Sequence, residues 1–188
     1  MEKYGELCRA LKNVGYTPAT VYQFLSGDAP GKIAILRHDV DRKPENAMRM
    51  AELEHSLGIC STYYFRYPHT FRPEIIKPVL ALGHEVGYHY EVLAKAKGDY
   101  ASAITLFSQE LDAFKAICDV RTICMHGSPL SPYDNRDLWK KYDFRDFEVE
   151  GEAYLSMAER GLRYLTDTGR CWSGKHSLRD AMPGTQSV

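Results

Sequence analysis

The chain has 188 residues, which fits one domain, since folded domains usually contain about 100 to 200 residues. Its hydrophobic fraction of 44% and charged fraction of 26% are typical of a soluble globular protein and exclude the disordered and fibrous classes. With 24 basic and 25 acidic residues the net charge is -1, so the chain lacks the positive excess that nucleic-acid binding needs.

The N-terminus and the cysteines indicate a cytoplasmic protein. No apolar segment of the kind found in signal peptides follows Met1, and no later stretch is apolar and long enough to span a bilayer. The five cysteines are scattered, without the close pairs of a zinc knuckle or a redox motif. We therefore expect a cytoplasmic chain with reduced, structural cysteines and no membrane partner.

The apolar pattern predicts alternating helices and strands. Helices are expected at 3–14 and 18–25, the second with Thr17 as N-cap and Pro18 at its first position. The apolar run at 33–36 is typical of a strand buried on both faces of a parallel sheet. The later predicted elements are a helix at 44–57, a strand at 60–65, a helix at 73–82, a strand at 85–89, a helix at 99–117, a strand at 122–125, a helical turn at 136–140 and a strand at 163–166.

This alternation predicts right-handed βαβ units and an α/β fold whose parallel sheet is either open or curled into a barrel. We expect a single domain over 1–188. It would consist of N-terminal helices at 1–30, barrel-like βα units at 31–175 and a tail at 176–188.

Polar residues stand where the predicted strands end. They are Asp39, Asp41, Arg66, His89, Glu91, His126 and Asp167. Ligand sites of parallel α/β folds lie at the carboxyl ends of the strands, so we expect these side chains to converge on one rim.

Asp39 and Asp41 are two residues apart on an extended segment, so their side chains should share a face. Two carboxylates this close repel each other unless a cation lies between them or one pKa rises. A metal site resolves the conflict if one aspartate binds the ion and the other accepts a proton from its water. The alternative is that the Asp-x-Asp pair only caps the next turn.

His89 and Glu91 share a face by the same reasoning, and imidazole and carboxylate are suitable ligands for zinc. Each also has an ordinary structural interpretation, as a core histidine and a solvated loop residue. His126, between a strand and Gly127, is expected to face the site. Four other histidines are predicted to have structural or surface roles, namely His38, His55, His69 and His84.

Two segments resemble the NodB-homology polysaccharide deacetylases, which are metal-dependent enzymes that remove acetyl groups from amino sugars. The segments are 36–41, Leu-Arg-His-Asp-Val-Asp, and 82–89, Leu-Gly-His-Glu-Val-Gly-Tyr-His, within a match over about 33 to 172. The resemblance implies an incomplete, deformed (β/α) barrel. It also implies that Asp39 is the catalytic base, Asp41 a metal ligand and His89 the first metal histidine.

The chain departs from the family pattern at several motifs. The second metal histidine would fall on Leu93, so the third ligand must come from Glu91 or His126. The segment 124–129 stands where the family's arginine-containing motif is expected, while 165–172 resembles its aspartate and tryptophan region, which implicates Asp167 and Trp172 in substrate binding along with Arg66. The terminal histidine motif has no counterpart before Val188. The resemblance thus implies a divergent, shortened member in which the barrel is incomplete or His126 or His176 takes that role.

We therefore expect a hydrolase of carbon-nitrogen bonds, other than peptide bonds, that removes an N-acyl group from a small carbohydrate-like substrate with one divalent ion, zinc being expected. Two other functions remain open. One is the opening of a cyclic amide, as in the allantoinase-like branch of the same superfamily. The other is carbohydrate binding without turnover.

Overall fold

The computed structural model describes residues 1–127, 131–158 and 160–165. Within them the helices are α1 Glu2–Asn13, α2 Val21–Ser26, α3 Pro44–Ser56, α4 Pro73–Ala81, α5 Val92–Lys95 and α6 Tyr100–Lys115, with 3-10 helices at Asn135–Lys140 and Phe144–Phe147. The strands are β1 Thr17–Ala19, β2 Ile33–Ile35, β3 Arg37–Val40, β4 Thr62–Phe65, β5 Glu85–Tyr90, β6 Thr122–Met125 and β7 Gly151–Glu152. The chain divides into two compact units, 1–157 and 158–188, and all these elements belong to the first.

The main sheet has five parallel strands, and their spatial order, β3-β4-β5-β6-β7, is the order of the chain. Strands β1 and β2 form a separate parallel pair. The chain is thus an α/β protein with a five-stranded parallel sheet flanked by helices, which confirms the predicted class. A barrel of the deacetylase type stays a prediction.

One face of the sheet carries the main hydrophobic core. Because side chains alternate along a strand, residues of β4, β5 and β6 enter this core at every second position. The strand residues concerned are Tyr63, Phe65, Val86, Tyr88, Tyr90 and Ile123. Helix α6 packs against them through one apolar face, on which Phe107, Leu111 and Phe114 are all buried. Burying one such side chain contributes about 1.5 to 3 kcal/mol.

The opposite face of the sheet carries a smaller apolar cluster, which includes Tyr64 and Cys124, together with polar side chains. Glu85 accepts a hydrogen bond from Thr62 Oγ1 at 2.7 Å and from the backbone N–H of Tyr22 at 3.0 Å, so the first turn of α2 is docked on this face. Gly87 follows on the same face, and a Cβ there would collide with the Tyr64 ring and the Thr122 carbonyl. Glycine therefore lets Tyr64 lie across β5 and reach Thr122 Oγ1 at 2.7 Å.

The helix predicted at 18–25 is present, but its predicted start at Pro18 and its Thr17 cap are wrong. Residues Thr17–Ala19 form β1 beside β2, and the helix begins at Val21. Its N-cap is Thr20, which forms a capping box with Gln23: each side chain accepts the other's backbone N–H. Two backbone N–H groups that the helix itself cannot satisfy thus find acceptors. This favours a helix that begins at Val21 over one that begins at Pro18.

The last predicted strand, at 163–166, is wrong over its described part, because residues 163–165 belong to no strand. Thr166 lies outside the described residues, as do Asp167, Trp172 and His176. In the described ranges, no helix combines the length and apolarity needed to cross a membrane.

A buried carboxylate fixes α1 to the sheet. Glu54 of α3, whose side chain is 0% exposed, lies 2.7 Å from His38 Nε2 and accepts a hydrogen bond from Tyr63 Oη at 2.7 Å. Tyr4 of α1 and Ser61 also donate to it. Burial by itself would raise the pKa of Glu54, but these hydrogen bonds and the charge of His38 outweigh it and lower the pKa to about 2.

This network makes stability depend on pH at the acid end. The pKa of Glu54 is about 2 in the folded chain and 4.5 in its unperturbed form, so the stabilisation is complete above pH 4.5 and is lost as the pH falls toward 2. We expect Glu54→Gln to lower the free energy of unfolding at pH 7 by roughly 3 kcal/mol and to flatten its decline between these pH values.

Denaturant unfolding at several pH values measures both effects. Glu52→Gln, at an exposed position of the same helix, is the matched control and should leave both unchanged. Equal acid sensitivity of Glu54→Gln and the parent chain would show that Glu54 is not the group responsible.

Candidate metal centre

Three of the predicted residues meet at the carboxyl ends of three strands of the main sheet. Asp41 follows β3, His89 lies near the end of β5 and His126 follows β6. Asp41 Oδ1 is 2.9 Å from His126 Nδ1 and 3.5 Å from His89 Nε2, and the two ring nitrogens are 3.3 Å apart. One donor atom of each residue therefore faces the same small volume.

The ring of His89 is fixed by the neighbouring strand. It is 3% exposed, and its Nδ1 lies 2.9 Å from the carbonyl oxygen of Cys124. Because that oxygen can only accept, Nδ1 carries the proton and Nε2 presents its lone pair to Asp41 and His126. Metal-binding histidines are usually oriented by such a bond from the second ring nitrogen.

The backbone of His126 is held at both of its polar groups. Its N–H donates to the Tyr90 carbonyl at 2.7 Å, which continues the pairing of β6 with β5. Its carbonyl accepts from Asn135 Nδ2 at 2.8 Å, and Asn135 Oδ1 accepts the N–H of Ala94 at 3.0 Å. Asn135, 1% exposed, thus joins the loops after β5 and β6. Its sequence position carries no signal of this role.

Asp41 has the electrostatics of an ionised ligand. Its Oδ1 atom is buried and makes no well-aligned hydrogen bond within the described residues, although two imidazoles face it. Burial by itself would raise the pKa of Asp41, but the attraction of the carboxylate to the His126 and His89 imidazoles outweighs it and holds the pKa well below its usual value. The rise expected for one member of the aspartate pair therefore does not occur at Asp41.

Asp39 is balanced by a different cation. Arg37 Nη2 lies 3.0 Å from Asp39 Oδ2 and donates to Tyr154 Oη at 2.8 Å, with the guanidinium 4.5 Å from the Tyr154 ring centre. The Cys124 sulfur is 3.8 Å from Asp39 Oδ1. The repulsion predicted between Asp39 and Asp41 is thus relieved on both sides, by an arginine and by two histidines.

A second group with metal-ligand character consists of Asp39, His89 and Cys124. Burial, and next the charge of Asp39, raise the pKa of the Cys124 thiol well above its usual value, so this sulfur acts as a weak S–H donor to Asp39. We had expected only a structural cysteine. Its position opposite His89 in the sheet register is the signal that could have identified it.

Arg66 and Glu91 lie beside the metal centre and contact each other. Their closest atoms, Arg66 Nη2 and Glu91 Oε2, are 2.6 Å apart, and Arg66 Nη1 is 3.9 Å from Asp41 Oδ1. Glu91, predicted as a ligand, belongs to neither group of potential ligands. Leu93, the position at which the resemblance to the deacetylases would place a second metal histidine, is 2% exposed and lies in the hydrophobic core.

The other four histidines of the described residues have the structural or surface positions that were predicted for them. His38 points away from Asp39 and contacts Glu54, and buried His84 lies 3.0 Å from the carbonyl of Ala51 through its Nε2. His55 and His69 are exposed. The four cysteines within the described residues are all free of disulfides.

Two imidazoles and one carboxylate with converging donor atoms fit a divalent transition ion. The buried Oδ1 of Asp41 gives the same indication, because an ion would satisfy it. No family model matches the chain, and no curated protein matches it significantly.

We expect the purified chain to bind about one divalent ion through these three residues. Asp41→Asn and His126→Ala should each weaken zinc binding by more than about a hundredfold, since even the loss of a residue that only orients a ligand costs roughly 10- to 100-fold. Titration against a chelating dye measures the affinities.

His55→Ala removes an exposed histidine from α3 and is the matched control. Zinc affinities of the two site variants equal to that of His55→Ala would rule out this ligand set.

Proposed function

We propose that the chain is a metal-dependent amide hydrolase that removes an N-acyl group, such as acetyl, from a small carbohydrate-like substrate. The observation that carries this proposal is the cluster of Asp41, His89 and His126 beside the restrained carboxylate of Asp39. A ligand set next to an independent acid-base group is what hydrolysis by activated water requires.

A divalent ion held by the three ligands, for which we propose zinc, supplies Lewis acidity toward water and the amide carbonyl. The protein's own contribution is to place a proton acceptor beside it. Asp39 shares the His89 side of the site, and Arg37 and Cys124 restrain both of its oxygens. In the proposed reaction Asp39 would accept one proton of the attacking water as the water oxygen bonds to the amide carbon, and would return it to the nitrogen as the C–N bond breaks and the amine leaves. Arg37 would keep the carboxylate in one orientation.

The resemblance to polysaccharide deacetylases supports the same assignment. It implies a base at Asp39, a metal ligand at Asp41 and a histidine ligand at His89, and His89 lies close to both aspartates, one in each group of potential ligands. His126 supplies the third donor that Leu93 lacks. The family's arginine-containing motif has no counterpart in the sequence. Arg37, from the same strand as Asp39, supplies an arginine beside the proposed base.

We expect Asp39→Asn to lower turnover by about a hundredfold or more while zinc stays bound. Asparagine keeps the shape and one acceptor oxygen but loses the basic one. Acetate release from N-acetylated sugars measures turnover, and the zinc content of the same preparation tests the ligand set.

Asp112→Asn, at an exposed position of α6, is the matched control and should retain parental turnover. Near-parental activity of Asp39→Asn would reassign the base. Zinc binding by the parent chain without acetate release would favour the cyclic-amide or the non-catalytic alternative, and assays with cyclic amides separate those two.

A further inference from the structure

Glu91 faces the side of the His126 ring that points away from the other ligands. The Nδ1 atom of His126 is directed at Asp41, at 2.9 Å, and at His89, at 3.3 Å. The Nε2 atom on the other edge of the ring lies 3.8 Å from Glu91 Oε2. The imidazole therefore lies between the metal centre and a carboxylate.

The carboxylate of Glu91 is itself restrained. Arg66 Nη2 contacts its Oε2 atom at 2.6 Å, and the Oε1 atom faces Lys95 Nζ at 3.6 Å and His69 Nε2 at 3.9 Å. Its side chain is 13% exposed. Arg66, at the same oxygen that faces His126, and Lys95, at the other oxygen, hold this carboxylate next to the ring.

From this geometry we infer that Glu91 is a positioning residue, which selects Nδ1 of His126 as the metal-binding nitrogen and is not a ligand itself. This inference rests on the proposed metal centre. The two histidines would then bind through different atoms, His89 through Nε2 and His126 through Nδ1, since the other nitrogen of each ring faces a protein acceptor.

The physical basis is the choice of tautomer. A neutral imidazole carries one proton, and a nearby carboxylate stabilises the tautomer whose N–H points toward it. Glu91 favours the proton on Nε2 of His126, which leaves the lone pair on Nδ1. A carboxylate behind a ligating histidine also makes that histidine a stronger donor.

Arg66 has a part in this arrangement. Without a cation beside it, the Glu91 carboxylate would be attracted to a divalent ion bound next to His126. The contact with Arg66 holds it beside the His126 ring instead. Asn135 holds the backbone of His126 through its carbonyl. The contact with Glu91 then bears on the orientation of the His126 ring.

The test measures Zn²⁺ affinity by chelator competition, and the absorption spectrum of the Co²⁺-loaded protein, for Glu91→Ala and Glu91→Gln. We expect Glu91→Ala to weaken zinc binding roughly 10- to 100-fold, and Glu91→Gln less, because the amide oxygen can still face Nε2 with a partial negative charge. The coordination number indicated by the Co²⁺ bands should stay that of the parent. Glu74→Gln, at an exposed position of α4, is the matched control.

Two results would overturn the positioning role. Zinc affinities of both Glu91 variants within twofold of the parent would show that the ring does not need the carboxylate. A loss far beyond the expected range with a lower Co²⁺ coordination number would make Glu91 a ligand. Failure of the parent chain itself to bind an ion would instead remove the proposed metal centre, and the positioning role with it. Glu91→Gln keeps the side chain's size, so a folding failure of the alanine variant leaves the test decisive.

Discussion

The pairing of β5 with β6 is the constraint on which the site depends. In this register His89 lies opposite Cys124, so the Cys124 carbonyl can accept from His89 Nδ1. A shift of one residue would exchange the two faces of β5 and place Tyr88 or Tyr90 where His89 stands. The apolar packing of these tyrosines against α6 opposes that shift, because both are fully buried.

Buried glutamates connect the loops and helices to this sheet. Glu110 binds Lys95 at 2.9 Å, and Glu152 accepts the backbone N–H groups of Met125, Tyr154 and Leu155 at 2.8 to 2.9 Å. Burial raises the pKa of Glu152, although these N–H donors oppose the rise. A carboxylate without partners would be costly in such surroundings, so each one fixes the geometry of the elements that satisfy it.

Local patterns in the sequence account for most of the fold. Helix α6 and the strand at Thr122–Met125 could be predicted from the sequence, because the spacing of apolar residues reflects which face of an element is buried. The start of α2 was missed because Thr17-Pro18 and Thr20-x-x-Gln23 are both cap signals, and only the pairing of β1 with β2 decides between them. The short strand β7 is two residues long and has no periodicity to detect.

The site was predictable to the extent that it depends on strand ends. Asp41, His89 and His126 follow from the rule that parallel strands end on one rim. The contacts of Arg37 with Asp39 and of Asn135 with Ala94 were not predictable. The first depends on whether two side chains on one face of a strand turn toward each other, and the second joins two loops distant in the chain.

The position of Leu93 accounts for the absence of its side chain from the proposed metal centre, where the third donor comes from another strand. Helix α5 begins at Val92, directly after Glu91, and its first turn directs Leu93 into the hydrophobic core. A histidine at that position would be buried among apolar side chains, where an unpaired imidazole is unfavourable. The end of β6 lies beside that of β5, so His126 reaches the same volume without crossing the core. In the proposed metal centre the third donor therefore comes from the end of β6, and Glu91 lies beside the ring of that residue.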